Sequence, residues 1–513
     1  MNEPVGSQEA VFCFLGDPRT YGVAGPVARV NTANAVIFLA GPDVYKVKRA
    51  VRFPFMDFST LDKRREACEA EIAVNCDNAP GVYLEALPIV RDGDSFAIGG
   101  SGDIVEWTVH LRRFDENATL DRLAERSGVS DALIDKLALA IRRSHARAPL
   151  RDAVRAASEL EVYIDQNDAA FAGWPDLFPP SGARRLTRES RLAFAIARPA
   201  LLARGRAGCV RRCHGDLHLG NIVLIEGEPT LFDAIEFSDA IASGDVLYDL
   251  AFLLMDLEER GLRPAANRLF NRYLGPEPPQ AMAGLAALPL FLSLRAAIRA
   301  KVKAAGAERL EGEKRTRARS LARDYFDRAV SFLHYVPPRL VAVGGLSGAG
   351  KSALAGRLAP RIGRSPGALW LRSDVERKAM FGVDETDRLA DAGYSPDVTR
   401  EVYRRIDEKA RRALRAGHSV ILDATFASAD ERAAAERIGF ETGVAFDGLF
   451  LEAPLDIRLA RLAGRQADAS DADATVARGQ RADALAERRW SPIDDSQDLE
   501  RTAAAAAKRL RLE

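Results

Sequence analysis

Short apolar or alternating runs broken by Gly, Pro and Asp occupy residues 34–48 and 82–113, and this pattern predicts strands. From Thr119 to about Ala148 the spacing changes: Leu and Ile recur at three and four residues, which predicts helices, and Arg- and Ala-rich stretches of helical character continue to Arg206. The segment SGDVLYDLAFLLMDLEERG reads as a buried helix. A helical pattern in ARDYFDRAVSFLHYVPPRL stops at Val336, Pro337 and Pro338, because the residue before a proline is pushed out of helical geometry. Beyond that point the apolar runs LVAVGG, ALWLRSD, SVILDAT and GLFLEA alternate with helix-period segments, the signature of a parallel sheet covered by helices.

A chain of 513 residues is too long for one core, so the break at the two prolines predicts two domains, residues 1–336 and 339–513. Lys+Arg and Asp+Glu both number 73, and the zero net charge offers no argument for a nucleic-acid partner or an anionic membrane surface. The five cysteines are an odd, sparse set without a C-x-x-C pair, which fits a reducing compartment, with the cytoplasm as default. The start MNEPVGSQEA lacks a basic region leading into an apolar run, and LAALPLFLSL is too short to span a bilayer. A soluble chain with no membrane partner is expected, and the number of subunits is left open.

The first candidate chemistry lies in VAVGGLSGAGKSALAG, where Gly345, Gly350, Lys351 and Ser352 have the G-x-x-x-x-G-K-[ST] spacing between an apolar run and a helix-compatible one. Glycines here, Gly348 included, let backbone N–H groups turn toward phosphate oxygens. Lys351 can reach the β- and γ-phosphates, Ser352 can ligate Mg²⁺, and the helix N-terminus favours the anion. ATP and Mg²⁺ are the implied cofactors.

A second signal lies upstream in CHGDLHLGNIVLIEGEPTLFDAIEF, where His214, Asp216 and Asn221 form H-x-D-x-x-x-x-N and Asp233 follows a hairpin-like segment. In a kinase catalytic loop the first Asp accepts the proton of the attacking hydroxyl. The Asn holds Mg²⁺, and a later Asp at a strand end completes the metal site. His214, Asp216 and His218 also alternate as metal ligands would, but the loop context accounts for His214 and Asp216 without zinc and leaves His218 a structural role.

Residues 28–330 resemble the aminoglycoside phosphotransferase family, a branch of the protein-kinase-like fold whose loop has the form H-G-D-x-x-x-x-N. The resemblance implies a two-lobed phosphotransferase domain with a strand-rich N-lobe and a helical C-lobe, the hinge lying at VEWTVHLRRF. It also implies a phosphate-binding lysine in VYKVK and a glutamate partner in CEAEIAVN. Lys46 and Lys48 share a strand face, so spacing does not choose between them, and Lys46 is taken here; Glu71 is taken before Glu69. Asp245 or Asp249 would brace the catalytic loop, Asp245 alternatively capping a helix. The order of these landmarks, with PFMDFSTLDKRREACEAE between them and a phosphate loop after them, is similar over nearly the whole length to bacterial proteins that fuse this domain to an ATP-binding P-loop kinase domain. The chain departs from that pattern at Asn31, Thr32 and Ala33, and at Asn75, Cys76, Asp77, Asn78, Ala79 and Pro80.

In the second domain LRSDVERK places Asp374 and Arg377 just past a strand's carboxyl end, where open α/β sheets bind ligands. By resemblance to small P-loop kinases, Asp374 would orient or deprotonate an acceptor hydroxyl and Arg377 would hold substrate or phosphate. Asp423 in VILDATF ends a strand as a metal-supporting aspartate should. Arg458, Arg461 and Arg465 recur at helical spacing before a polar loop that resembles the lid of this class, and would stabilise charge on the transferring phosphoryl group. The expected function is ATP-dependent phosphoryl transfer to a small-molecule hydroxyl at two nucleotide sites, the acceptor being sugar-like or aminoglycoside-like. The alternative is one catalytic kinase domain fused to a nucleotide-binding regulatory module.

Overall fold

The alternating segments of the first third pair into one antiparallel sheet of six strands among the described residues. Its order is Ala28–Asn31, Ala35–Ala40, Asp43–Lys48, Asp103–Arg112, Tyr83–Asp92, Ser95–Ile98. The computed structural model describes residues 6–512 apart from 54, 94, 386, 465–468, 472, 487 and 497. The inner strands of this sheet are covered on both faces. Val36, Phe38, Val47 and Ile89 pack on Val11, Phe12 and Leu15 of the helix Gly6–Leu15, while Val109 and Leu111 pack with Cys68 on the opposite face. Cys68 belongs to the helix Leu61–Asn75, capped by the Thr60 hydroxyl, which buries Arg64, Ala67, Cys68, Glu71 and Asn75 at three- and four-residue spacing. Because strand side chains alternate, Val47 points to the first layer and Lys46 and Lys48 to the helix.

The segment VEWTVHLRRF is not a hinge. Residues Asp103–Arg112 form an interior strand between Asp43–Lys48 and Tyr83–Asp92. Glu106 and Thr108 are buried within it, Glu106 accepting from Arg64 Nε at 2.8 Å, while Asp103 and Arg112 lie exposed at its two ends. After it come the helices Leu120–Ser127 and Asp131–Arg147 and the hairpin Ile222–Ile225 with Glu228–Leu231. Together these residues form one compact unit, Met1–Ala156 with Gly208–Leu253.

The second unit, Ala157–Ala207 with Leu254–Glu513, is built on a parallel sheet of five strands among the described residues. The order is Leu369–Arg372, Val420–Asp423, Arg339–Gly345, Ala445–Glu452, Trp490–Asp494. Its central strands are mostly apolar and buried because helices cover both faces, the charged residues Arg339, Asp423 and Glu452 falling at strand ends. The helix expected to run to Val336 stops at Phe332, and the two prolines lie in the connection that follows. The edge strand is not left open: in the helix Arg263–Leu274, Asn271 Oδ1 accepts from Trp370 N at 2.7 Å and Asn267 Nδ2 donates to Ala368 O at 3.1 Å. No single described helix is long and apolar enough to cross a membrane; Pro279–Ala286 and Leu288–Ala307 approach that length only as a pair bent by 50°.

His418, next to the Val420–Asp423 strand, is buried with Nε2 on Gly367 O at 2.9 Å. Burial, then the nearby Arg364 charge, pushes its imidazole down to about 4. The unfolded chain takes up this proton as pH falls through about 6.5, whereas the folded chain resists until about 4. This contribution is therefore intact above pH ~6.5 and is lost toward pH ~4, by about 3 kcal/mol. Urea unfolding followed by tryptophan fluorescence between pH 7.5 and 4.5 should show that decline, and His418→Gln should flatten it.

Candidate active sites

In the first unit the lysine strand, the Glu71 helix and the segment after the 222–231 hairpin meet. Lys46 Nζ lies 2.8 Å from Glu71 Oε1 and 2.6 Å from Asp233 Oδ1. Lys48 pairs with the other Glu71 oxygen and with Glu236. Glu69 is exposed and takes no part in this cluster. Burial opposes the charge on Lys46, but Asp233 and Glu71 outweigh it and raise its pKa well above the usual lysine range. Glu71 is fully buried, yet the two ammonium groups hold its carboxyl below the ordinary value.

Asp216 is held from two sides. Asn221 Nδ2 donates to its backbone oxygen and to Oδ2, both at 3.0 Å, and His218 Nε2 lies 3.4 Å from Oδ2. His214 does not face that carboxylate through its ring: Nε2 donates to Phe232 O at 2.9 Å and Nδ1 accepts from Asp216 N at 3.4 Å. Burial lowers its pKa, so His214 is the neutral imidazole that knits the loop to the strand before Asp233. Asp249 braces the same loop, accepting from Gly215 N at 2.8 Å and His214 N at 3.3 Å with His145 Nε2 at 3.1 Å. Asp245 Oδ1 accepts from Leu247 N at 2.9 Å at the start of the helix Val246–Glu259 that follows it. Asp233 sits at φ 60°, a conformation secured by the Tyr83 hydroxyl, which accepts from Asp233 N at 2.9 Å.

In the second unit the loop after Arg339–Gly345 leads into the helix Lys351–Leu358. Gly348 and Gly350 both have φ 82°, and a Cβ on Gly348 would lie 2.6 Å from Arg458 O. Ser352 Oγ donates to Asp423 Oδ2 at 2.7 Å, and Trp370 Nε1 donates to the same oxygen at 3.2 Å. Burial raises the Asp423 carboxyl, with Arg372 and Lys351 partly offsetting it. Lys351 Nζ lies on Leu346 O at 3.2 Å, curled over the loop it is expected to serve.

A cleft of about 690 Å³ opens beside this loop. Gly348, Gly350, Lys351, Ser352, Asp423 and Arg461 line it, as do Asp374 and Arg377. Gly345 ends the strand behind, its N–H on Thr425 O at 3.0 Å. Arg377 is buried rather than solvated, donating to Gly393 O at 2.8 Å and to Thr399 Oγ1 at 3.2 Å with its guanidinium 4.9 Å from the Tyr394 ring. Arg461 is gripped by Asp495, through Oδ2 at 2.5 Å and the backbone oxygen at 2.9 Å. Arg458 is buried behind the loop with Nη1 on Ser347 O at 3.3 Å, and Arg465 lies outside the described residues. A smaller cavity of about 410 Å³ flanks the loop, walled by Leu346, Pro454, Arg458, Asp494 and Ser496.

Residues 101–288 match the phosphotransferase enzyme family, and residues 340–488 match an AAA domain. Over 454 residues, 87% of this chain and 88% of the relative, the sequence is 30% identical to the uncharacterized protein Rv2004c of Mycobacterium tuberculosis (strain ATCC 25618 / H37Rv). The chain belongs to the same two-domain family. Its make-up is that of a kinase-type phosphotransferase with two nucleotide-binding-like regions. Among solved structures it is similar to the GDP complex of aminoglycoside 2′-phosphotransferase-IIIa, at 12% identity and a TM-score of 0.39 over 62% of this chain and 99% of that one. It is also similar to a gluconokinase from Sinorhizobium meliloti 1021, at 21% identity and a TM-score of 0.25 over 34% of this chain and 95% of that one.

Several residues of these sites escaped the sequence reading. Glu236, Tyr83 and Asn75 act through contacts between distant segments. Gln480, which accepts from Ser347 N at 2.8 Å, and Asp495 lie in stretches with no motif. Only Glu236 left a usable signal, an acidic residue three positions after Asp233.

Proposed function

We propose that each unit transfers the γ-phosphoryl group of ATP to a hydroxyl of a small polar molecule, sugar-like or aminoglycoside-like, with Mg²⁺ at both sites. The observation that carries this reading is the cleft of the second unit, where the phosphate loop and the carboxylate of Asp374 line one space. In the first unit the grouping of Asp216, Asn221, Asp233 and Lys46 supports the same chemistry. Phosphoryl transfer asks for positioning and charge neutralisation more than for covalent chemistry.

In the first unit, Asp216 takes the proton of the acceptor hydroxyl as that oxygen bonds to the γ-phosphorus and the bond to the ADP oxygen breaks. Asn221 and His218 aim its carboxylate, and Lys46 meets the phosphates. In the second unit, Asp374 takes the proton, Lys351 and Arg461 face the phosphates, and Arg377 shapes the acceptor end. The oxygen donors Asn221 and Asp233, and Ser352 and Asp423, suit a hard divalent cation. Bound there, Mg²⁺ would neutralise phosphate charge. The smaller cavity beside Leu346 and Arg458 offers room for base and ribose. At the acceptor end the hydroxyls of Tyr394, Thr399, Tyr403 and Thr425 stand with Asp374 and Asp391, a lining suited to a hydroxylated molecule.

The test is ADP release with MgATP against sugars, polyols, nucleosides and aminoglycosides, comparing the parent chain with Asp216→Ala and Lys351→Ala. Release that depends on an acceptor and is lost in one variant only is expected, and identifies the acceptor and its unit. Intact ATP binding without stimulated release by any acceptor would overturn two-site transfer in favour of a regulatory nucleotide site.

A further inference from the structure

The buried charges behind the first site divide into two halves. On the solvent side Lys46 pairs with Asp233, whose side chain is 45% exposed. On the sealed side Lys48, 1% exposed, pairs with Glu236, 6% exposed. Glu71 joins the halves, giving Oε1 to Lys46 and Oε2 to Lys48. Two ammonium groups thus face three carboxylates, of which Asp233 alone is open to solvent.

An anionic phosphate arriving at Lys46 and a cation arriving at Asp233 would loosen the contact between those two residues. With one lysine alone, Glu71 would then share its sole counter-ion with the ligand. Lys48 removes that dependence, because no ligand reaches it: the Phe58 ring lies 5.4 Å from its ammonium and the sheet closes the other side. Burial lifts the Glu236 carboxyl above its ordinary value, with Lys48 the largest opposing influence, so the lysine is what favours its charge. The helix makes a further contact to the same segment that also bypasses Lys46, Asn75 Oδ1 accepting from Ala234 N at 2.8 Å one turn after Glu71.

We infer that Lys48 and Glu236 are positioning residues, a permanent ion pair that keeps the Glu71 helix docked on the Asp233 segment independently of Lys46 and of nucleotide. The inference rests on the function proposed for the first unit. Lys46 is the exchangeable member of the cluster, free to follow the phosphates, while Lys48 holds the geometry. The site is therefore assembled before ATP arrives, and the helix does not swing as part of turnover.

The test uses the full chain carrying Lys351→Ala, so that MgATP binding reports on the first unit. Amide hydrogen exchange of the helix Leu61–Asn75 is measured without nucleotide, and MgATP affinity by calorimetry. Lys46→Met should weaken MgATP by about tenfold or more and leave exchange of that helix unchanged. The paired change Lys48→Met with Glu236→Gln leaves Glu71 with Lys46 and orphans no carboxylate at 236. It should raise exchange of Leu61–Asn75 while Asp131–Arg147 stays protected, weaken MgATP by about tenfold, and regain helix protection when MgATP saturates. Exchange that rises in Lys46→Met, or that stays at the parental level in the paired variant, overturns the inference. So does a rise spread over the whole unit, which marks a merely structural pair. Absence of MgATP binding in the Lys351→Ala parent overturns the nucleotide reading of the first unit, and the nucleotide-free exchange data still decide the inference separately.

Discussion

Replacing Lys351 by alanine is expected to lower the phosphoryl transfer proposed for the phosphate-loop cleft by about two to three orders of magnitude, the cost of removing one electrostatic donor aimed at transition-state charge. The backbone of the loop should survive the change, since the φ of 82° at Gly348 and Gly350 comes from glycine and the side chain gives up one bond to Leu346 O. Ser352 remains on Asp423 at 2.7 Å. The ammonium would also meet the ground-state β- and γ-phosphates, so the loss falls on MgATP affinity at this cleft as well as on kcat. The first unit does not use this residue, so an acceptor turned over there is processed at the parental rate. Steady-state kinetics with one acceptor for each unit check both halves. Equal loss at both would mean that the two chemistries are not independent.

The parallel sheet was legible because its strands are buried on both faces and read as continuous apolar runs. The phosphate loop was legible because the ligand demands small residues and a lysine at fixed spacing. The alternation over 82–113 also marked the strand that holds Glu106; it was the hinge assignment of VEWTVHLRRF that failed, because Glu106 is charge buried against Arg64 inside the sheet. Patterns failed where the partner lies far along the chain. Nothing near Trp370 announces that Asn271 holds its backbone N–H, or that its indole reaches Asp423. Lys46 and Lys48 show the boundary well. Period two places both on one face, but only the third dimension separates the half-exposed Asp233 beside one from the sealed Glu236 beside the other.

Asp216→Asn is expected to cost about two to four orders of magnitude at the first site, the usual worth of a positioned general base. The change is nearly isosteric, and the amide can still meet Asn221 and His218, which approach Oδ2 at 3.0 and 3.4 Å. What it cannot do is take the proton from the attacking hydroxyl through the remaining oxygen. The fold of the loop is carried elsewhere, by Asp249 on the N–H groups of His214 and Gly215 and by His214 on Phe232, so the variant should unfold at the parental temperature. Lys46 stays between Glu71 and Asp233, and MgATP should bind with little change. A large fall in kcat with near-parental nucleotide affinity and unaltered turnover at the Lys351 cleft would separate proton transfer from phosphate positioning. A fall below tenfold would mean that the acceptor oxygen loses its proton after bonding to phosphorus rather than before, as a loose transition state allows, and would reduce Asp216 to orienting the hydroxyl.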